Sequence, residues 1–254
     1  MLKGTRTVSV SGLQIPILTY GDTELFLVHT LTGREVVNEL FEYTLILRAM
    51  NKLGEPAGGY PSADPNSGYI SKAQALLEQD SPGANWDLAS LIGSTVTVAI
   101  ECDGKVGLTE LGNSTYDIDI ERMAGGQLPS RIGRYTRHIS GIVTRAAQTG
   151  SEGKSALYTL TLRPWYWLLT QTSDYRIYQQ QTIPDIIRTV LDKYPYRVEW
   201  RTTHTYPTLD YQCQFGETDY DFISRLCQEV GINHWVEHQA EGHTLVLSDT
   251  LSGF

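Results

Sequence analysis

The stretch Ser155–Thr170, SALYTLTLRPWYWLLT, constrains the fold of this chain more than any other. Residues 157–162 alternate between two faces, which predicts a strand with a period of two. The strand must end at Arg163-Pro164, because proline has no N–H to donate to a sheet. The aromatic run 165–167 follows with two leucines, which predicts a short buried helix packed on the end of the strand. We therefore place the junction between two structural bodies here.

Residues before the junction predict β structure. The segment 41–49 alternates, with Phe41, Tyr43, Leu45 and Leu47 on one face. Gly141 interrupts another such segment and predicts a bulge or bend, and residues 148–154 predict a turn that closes a hairpin onto the organising strand. Six strands with little helix predict a β-barrel or a β-sandwich for residues 1–165. The predicted strands are 6–10, 25–28, 41–49, 94–101, 116–120 and 137–145.

The segment 51–85 interrupts this β pattern. It contains five glycines and four prolines among serine, asparagine and aspartate residues. Such a composition predicts an exposed loop insertion, with one helical turn at Ala73–Leu77. An insertion of this kind is a candidate surface for contact with a partner.

Residues 166–254 predict an α+β domain. Thr182 and Pro184 begin one helix, which Pro195 ends. A second helix has Thr218 and Asp221 as a capping pair, and Gly231 ends it. The predicted strands are 197–202, 211–215, 232–238 and 244–247, the last two joined by a turn at 240–242. The fold class predicted for the whole chain is mainly β with α+β.

Charge and composition exclude several classes of partner. The net charge of −9 argues against nucleic acids and anionic membranes, which attract basic surfaces. No run approaches the roughly 18 apolar residues needed to span a bilayer, and the N-terminus lacks the apolar core of a signal peptide. Cys102, Cys213 and Cys227 form no C-x-x-C pair, which predicts reduced thiols in a protein made in the cytoplasm.

The segment His234–His238 matches the H-x-x-E-H motif of inverted zinc peptidases, with Glu237 as the acid. That chemistry needs a helix, where residues four apart lie about 6 Å from each other. The segment follows a glycine that ends a helix and is rich in residues that favour strands. In a strand the two histidines would lie about 13 Å apart, too far to share one zinc ion. We therefore predict a strand and no metal site.

Three other motifs have structural explanations that we favour. Glu217, Asp219 and Asp221 suggest the paired carboxylates of a glycoside hydrolase, but they open a helix, whose dipole attracts anions. Gly153-Lys154-Ser155 resembles the end of a phosphate-binding loop, but a strand follows it rather than a helix. The aromatic run 165–167 could stack on sugars, but its leucine neighbours predict core packing. The sequence predicts no catalytic, cofactor-binding or metal residue.

Three stretches together resemble VgrG, the spike protein family of bacterial type VI secretion, and the hub proteins of contractile-tail phages. They are HISGIVT at 138–144 with its paired strand 158–162, LRPWYWLL continuing from 162 to 187, and ETDYDFISRL within 211–247. Their order and spacing match over about 135–250. The insertion 51–85 is longer than the connection usual in this family. Family members also continue into further barrels and a β-helix needle, so we expect this chain to be an N-terminal part, incomplete at its C-terminus.

The resemblance implies a mechanical role without catalysis or cofactor. Such proteins form homotrimers that dock on the hexameric Hcp tube, and sheath contraction drives the spike and its effectors into a target cell. The implied partners also include effector, adaptor and baseplate proteins. The implied route is synthesis in the bacterial cytoplasm followed by secretion without a signal peptide. Two alternatives remain open: a hydrolase or zinc peptidase using His234, Glu237 and His238, and a module that binds cargo or an adaptor.

Overall fold

A computed structural model describes residues 8–12, 15, 19–20, 23–24, 26–49, 86–102, 135–152 and 155–250. The predicted insertion 51–85, the predicted strand 116–120 and the Gly153-Lys154 turn lie outside the described residues. The strands are β1 Val8–Gly12, β2 Thr19–Tyr20, β3 Thr23–Glu24, β4 Phe26–Arg34, β5 Glu42–Ala49, β6 Thr95–Cys102, β7 Tyr135–Glu152, β8 Ser155–Arg163, β9 Ser173–Gln181, β10 Val198–Arg201, β11 Leu209–Thr218, β12 Asn233–Gln239 and β13 Gly242–Ser248. The helices are α1 Ile183–Leu191 and α2 Asp219–Val230, with 3-10 turns at Ala89–Leu91 and Trp165–Gln171.

One antiparallel sheet contains six of these strands, in the order β1-β6-β7-β8-β5-β4. Its first and last strands approach each other, so the sheet curls into half a barrel. After the junction, β9 and β11 form a two-stranded ribbon, and β10, β13 and β12 form a small sheet in which β10 runs parallel to β13. The predicted fold class, mainly β with an α+β part, is confirmed.

The concave side of the curled sheet holds the first hydrophobic core. The predicted alternation in β8 is confirmed, since Tyr158, Leu160 and Leu162 are buried while the residues between them are partly exposed. Leu45 and Leu47 of β5 pair across the sheet with Leu160 and Tyr158 and are equally buried. The two central strands thus present the same face to the core, as their period of two requires.

Strand β7 differs from the prediction in two ways. Residues 148–152 continue the strand, because Glu152 still pairs with Ser155 of β8, so the prediction of a turn is wrong over 148–152. The register shifts fall near Thr144 and Thr149 rather than at Gly141. An added Cβ at Gly141 would lie 3.0 Å from the carbonyl oxygen of Arg163, so this glycine permits a close approach of two strands.

The residues that follow Pro164 belong to a different hydrophobic cluster from those of β8. The aromatic run forms a 3-10 helix after Pro164, and Trp165, Tyr166 and Leu169 are buried in a second hydrophobic cluster with α1 and α2. Neighbouring residues of β7 face different clusters: Val143 belongs to the first and Ile142 to the second. The strand therefore separates the two cores.

Both α-helices begin at the predicted caps. The hydroxyl oxygens of Thr182 and Thr218 accept the backbone N–H of the residue three positions on, at 3.3 and 3.0 Å. Gly231 ends α2 in the left-handed conformation, with φ of 73°. Helix α1 ends at Leu191, earlier than the predicted stop at Pro195, because the chain tightens there into a turn. No helix in the described ranges is long and apolar enough to cross a membrane.

Candidate functional site: the histidine junction

The β12–β13 hairpin is fastened to the curled sheet by polar contacts at its closed end. His238 and His243 are register partners in this hairpin, and both side chains face the sheet side of the junction. We call this region the histidine junction. Its members are Glu35, Asn38, Ser140, Trp165, His234, His238 and His243.

His238 uses both ring nitrogens. Its Nδ1 accepts the backbone N–H of Ser140 at 3.0 Å, which places the proton of the neutral ring on Nε2. That nitrogen lies 2.6 Å from Oε1 of Glu35 and donates to it. The Ser140 amide is available because β8 ends at Arg163, whose partner in β7 is Ile142. His238 thus accepts the Ser140 N–H, which would pair with β8 if that strand continued.

Glu35 links His238 to the start of the loop after β4. Burial alone would raise the pKa of Glu35, but the hydrogen bonds from His238 and Tyr43 and the charge of Arg137 lower it below its ordinary value. Oε2 of Glu35 lies 3.5 Å from Arg137 of β7. Burial, followed by the contact with Glu35, raises the pKa of Tyr43 to about 12. Glu35 therefore stays ionised as the centre of a small polar network.

His243 caps the 3-10 helix that opens the second body. Its Nε2 accepts the N–H of Trp165 at 2.8 Å, a donor that the first turn of a helix leaves unpaired. Burial, followed by repulsion from the nearby His238, lowers the pKa of His243 to about 3. The ring is therefore neutral at physiological pH.

Asn38 joins the loop after β4 to β12 through three hydrogen bonds. Its N–H donates to the carbonyl oxygen of His234, and its Oδ1 accepts the N–H of His234, both at 2.8 Å. Its amide nitrogen donates to Oδ1 of Asn233 at 2.9 Å. Asn38 has a φ of 66°, a left-handed conformation that asparagine tolerates better than most residues. The loop therefore covers part of the outer edge of β12.

The structure confirms the predicted strand at H-x-x-E-H. Because side chains alternate along β12, Glu237 lies on the face opposite the two histidines, where its carboxylate pairs with Arg201 at 2.7 and 3.0 Å. Among the described residues, no three His, Cys, Asp or Glu side chains are grouped to hold a metal ion. His234 is buried, and its ring meets the edge of Tyr166 at 5.4 Å. The geometry therefore contradicts the zinc-peptidase alternative, which needs a helix.

The carboxylates at the start of α2 each have a structural partner. Asp221 completes the predicted cap with Thr218, and Glu217 pairs with Arg225 at 2.6 Å. Asp219 is 1% exposed and accepts hydrogen bonds from Gln214, Tyr194 and Lys193. The sequence did not reveal this buried network, because its members come from three separate elements.

The remaining predicted motifs also have structural roles. Trp165 and Tyr166 are buried, which confirms core packing rather than a sugar-binding surface. Ser155 begins strand β8, so no helix follows the sequence that resembles a phosphate loop. Cys102, Cys213 and Cys227 are free cysteines.

Sequence reasoning identified His234 and His238 but not their partners. The partners of these histidines lie far from β12 in the sequence. Ser140 is 98 positions and Glu35 is 203 positions from His238, and Asn38 is similarly distant from His234. One signal was present: His238 and His243 flank the predicted turn at 240–242, so they had to be cross-strand neighbours.

Replacing His238 with alanine tests the histidine junction. The change leaves the Ser140 amide and Glu35 without their partner, so we expect the free energy of unfolding to fall by about 2 kcal/mol. Urea unfolding followed by circular dichroism measures it. The exposed His29→Ala variant is the control and should change stability by less than about 0.5 kcal/mol. Equal stability of the two variants would contradict the role assigned to His238.

These features define the fold class of the chain, a curled antiparallel sheet joined to an α+β part. A curled antiparallel sheet is fastened to an α+β body, and the histidines between them are engaged with backbone amides and a carboxylate. The solved structure of the E. coli c3393 protein shares this fold, with a TM-score of 0.59 at 20% identity, over 98% of this chain and 50% of that chain. That protein is described as a component of the type VI secretion system with structural similarity to T4 bacteriophage tail proteins.

The chain belongs to the phage tail baseplate hub (GPD) family, whose profile matches residues 72–254. It is similar to the type VI secretion spike proteins VgrG1c and VgrG1a of Pseudomonas aeruginosa. VgrG1c is 35% identical over 219 residues, which are 81% of this chain and 29% of the relative. VgrG1a is 45% identical over 137 residues, which are 52% of this chain and 21% of the relative. The predicted resemblance is confirmed, and the chain spans less than a third of the length of these relatives.

Proposed function

We propose that this chain is the N-terminal hub part of a type VI secretion spike and that it acts mechanically, without catalysing a reaction. The observation that carries the proposal is its 35% identity to a VgrG spike protein over 81% of the chain. The histidine junction supports it, because both ring nitrogens of His238, Nε2 of His243 and the carboxylate of Glu35 are engaged in contacts between the hairpin and the rest of the chain. A protein that transmits force must keep its parts in a fixed arrangement, and these hydrogen bonds hold the β12–β13 hairpin against the curled sheet.

The proposal includes assembly and partners. The chain forms a homotrimer, docks on the hexameric Hcp tube, and helps to deliver effectors into target cells with adaptor and baseplate proteins. It is made in the bacterial cytoplasm and leaves the cell with the spike. Shape complementarity between the ring formed by the trimer and the hexameric Hcp ring would hold them together. The curled sheet of this chain could form part of the wall of such a ring.

We further propose that residues 1–165 and 166–254 are separate domains. Two hydrophobic clusters support this division: strands of the curled sheet supply most of the first, and the 3-10 helix with α1 and α2 supplies most of the second. Ile142 is the member of the second cluster that comes from β7. The proposed boundary lies close to Pro164, which follows the last residue of β8.

Secretion of Hcp tests the proposed function. Deleting the gene in its native bacterium, with other spike genes of that cell also deleted, should reduce Hcp in the culture medium at least about tenfold. Because the chain is proposed to dock on the Hcp tube as part of the spike, expressing the full protein again should restore release. A control measures Hcp inside the cells, which should stay constant. Unchanged release after deletion would contradict the proposal.

A further inference from the structure

The β9–β11 ribbon presents an unusual surface to solvent. Four of its large apolar side chains are exposed on one face: Tyr175 by 72%, Ile177 by 65%, Tyr211 by 69% and Phe215 by 79%. We call this surface the aromatic ribbon face. Single exposed apolar residues are common on proteins, but a contiguous group of this size marks an interaction site.

The pairing of the strands places these side chains together. Phe215 is the register partner of Tyr175, and Cys213 is the partner of Ile177. Tyr178 and Gln214 point the other way and are buried, with the ring of Tyr178 stacked on Phe222 of α2 at 5.6 Å. A strand pair with one buried face normally carries polar residues on the other. This ribbon carries apolar residues on both faces, so a partner of the solvent face is expected.

Two rings of the aromatic ribbon face pack against each other within the chain itself. The rings of Tyr175 and Phe215 meet edge to face, with centroids 5.2 Å apart. Gly216 has a φ of 71°, and an added Cβ there would lie 2.7 Å from the hydroxyl oxygen of Tyr175. The glycine therefore provides the space in which the Tyr175 ring lies. Side chains that are already held in place lose little entropy on binding.

The area of this surface fits the centre of a protein interface. Aromatic side chains contribute roughly 150–250 Å² each when buried, so these four exposed side chains offer roughly 500 Å². That is in the upper range of patches on monomeric proteins and about half to two-thirds of the roughly 800 Å² that each partner contributes to a standard interface. Exposed tyrosine and phenylalanine at such a centre have the composition typical of hot spots.

The charge of the face indicates which partner it fits. Its six outward positions are Tyr175, Ile177, Gln179, Tyr211, Cys213 and Phe215, and none of these side chains is charged at neutral pH. The chain carries a net charge of −9, so two copies repel each other over most of their surfaces. An uncharged apolar face allows two copies to meet without placing like charges in contact.

We propose that the aromatic ribbon face contacts a second copy of this chain. The inference rests on the proposed function, since it assigns a surface to the homotrimer. The contact removes the exposed tyrosine and phenylalanine rings from water, while Gln179 supplies an uncharged polar group at its margin. A different protein on this face is the competing outcome that the experiment must separate.

Sedimentation of the full chain over a range of concentrations tests the proposal. The Phe215→Gln variant should weaken association between copies at least about tenfold, because Phe215 is the most exposed ring of the face. The matched control is Ile92→Gln, which changes a side chain exposed by 51% outside the ribbon and should leave association unchanged. Circular dichroism confirms that both variants are folded. Association that is equal in wild type and Phe215→Gln, including no association in either, overturns the proposal.

Photo-crosslinking identifies what covers the face. Benzoylphenylalanine at position 211, in the full-length protein in its native cells, should give a product containing two copies, identified by mass spectrometry. The same group at position 92 is the control and should not. A product with only a different protein overturns the proposed contact but leaves the spike function standing, because Hcp release is measured separately. Loss of association in Phe215→Gln with no effect of deletion on Hcp release would support the contact and contradict the spike function.

Discussion

Lowering the pH from 6.5 to 4.5 is expected to reduce the free energy of unfolding by about 4 kcal/mol. Burial lowers the pKa of His234 to about 4, and burial with repulsion from His238 lowers the pKa of His243 to about 3, against 6.5 in the unfolded chain. The unfolded state therefore binds more protons in this range. The stability contributed by the two neutral rings is complete above pH 6.5 and decreases as the pH falls towards the folded values, by up to about 1.4 kcal/mol per pH unit for each ring.

Urea unfolding at several pH values measures this slope. The window above pH 4.5 isolates the histidines, because the carboxylates with lowered pKa values, Glu35, Asp185, Glu199 and Asp249, lose most of their contributions below their ordinary values near 4. A native stability of about 5–15 kcal/mol makes a loss of this size easy to observe.

The His234→Phe variant measures the contribution of one of the two histidines, which is about half of the expected loss of stability at low pH. Phenylalanine keeps an aromatic ring against Tyr166 but removes two buried ring nitrogens that have no hydrogen-bond partner among the described residues. We expect stability at pH 7.5 to be equal to the wild type or higher and the acid slope to fall by about 1.4 kcal/mol per pH unit. The exposed His29→Phe change is the control and should keep the full slope. An unchanged slope in His234→Phe would contradict the conclusion that the His234 ring of the wild type is buried and neutral.

Replacing Trp165 with alanine is expected to cost about 3–5 kcal/mol of unfolding free energy. The side chain is 1% exposed, stacks on Tyr196 at 4.9 Å and meets the edge of Tyr166 at 5.9 Å. Alanine keeps the backbone N–H that His243 accepts, so the change reports the loss of packing and the cavity left behind. Urea unfolding with near-ultraviolet circular dichroism measures both stability and packing.

Trp167→Ala is the matched control for this prediction. Trp167 lies in the same 3-10 helix but is only partly buried, with the guanidinium of Arg163 5.3 Å from its ring centre. Its loss should cost about 1 kcal/mol. Similar effects of the two substitutions would contradict the assignment of Trp165 as a central core residue of the second body.

Local patterns predicted the elements with strong periodicity. The alternation in β5 and β8, the caps at Thr182 and Thr218, and the turn at 240–242 were all confirmed. The end of β7 was predicted wrongly because residues 148–152 are polar and exposed, so that their sequence is typical of a turn although the strand continues. Strand β9 was not predicted, since Tyr175, Ile177 and Tyr178 place apolar residues on both faces.

The histidine junction was predicted only in part. The sequence identified the segment His234–His238 and excluded zinc from it on the spacing of a strand. It did not indicate that Asn38 pairs with the edge of β12 or that Ser140 donates to His238. Those contacts depend on where the curled sheet brings distant segments together, and neither asparagine nor serine in a loop or strand has a signature for such a role.

The sequence by itself determined the family, the β class and the end of β8 at Pro164, because motifs, periodicity and a proline act through neighbouring residues. Only the tertiary structure decided which face of the β9–β11 ribbon stays in solvent and which histidines are buried and neutral. Burial and hydrogen-bond partners are properties of segments far apart in the chain, brought together only when the whole sheet curls.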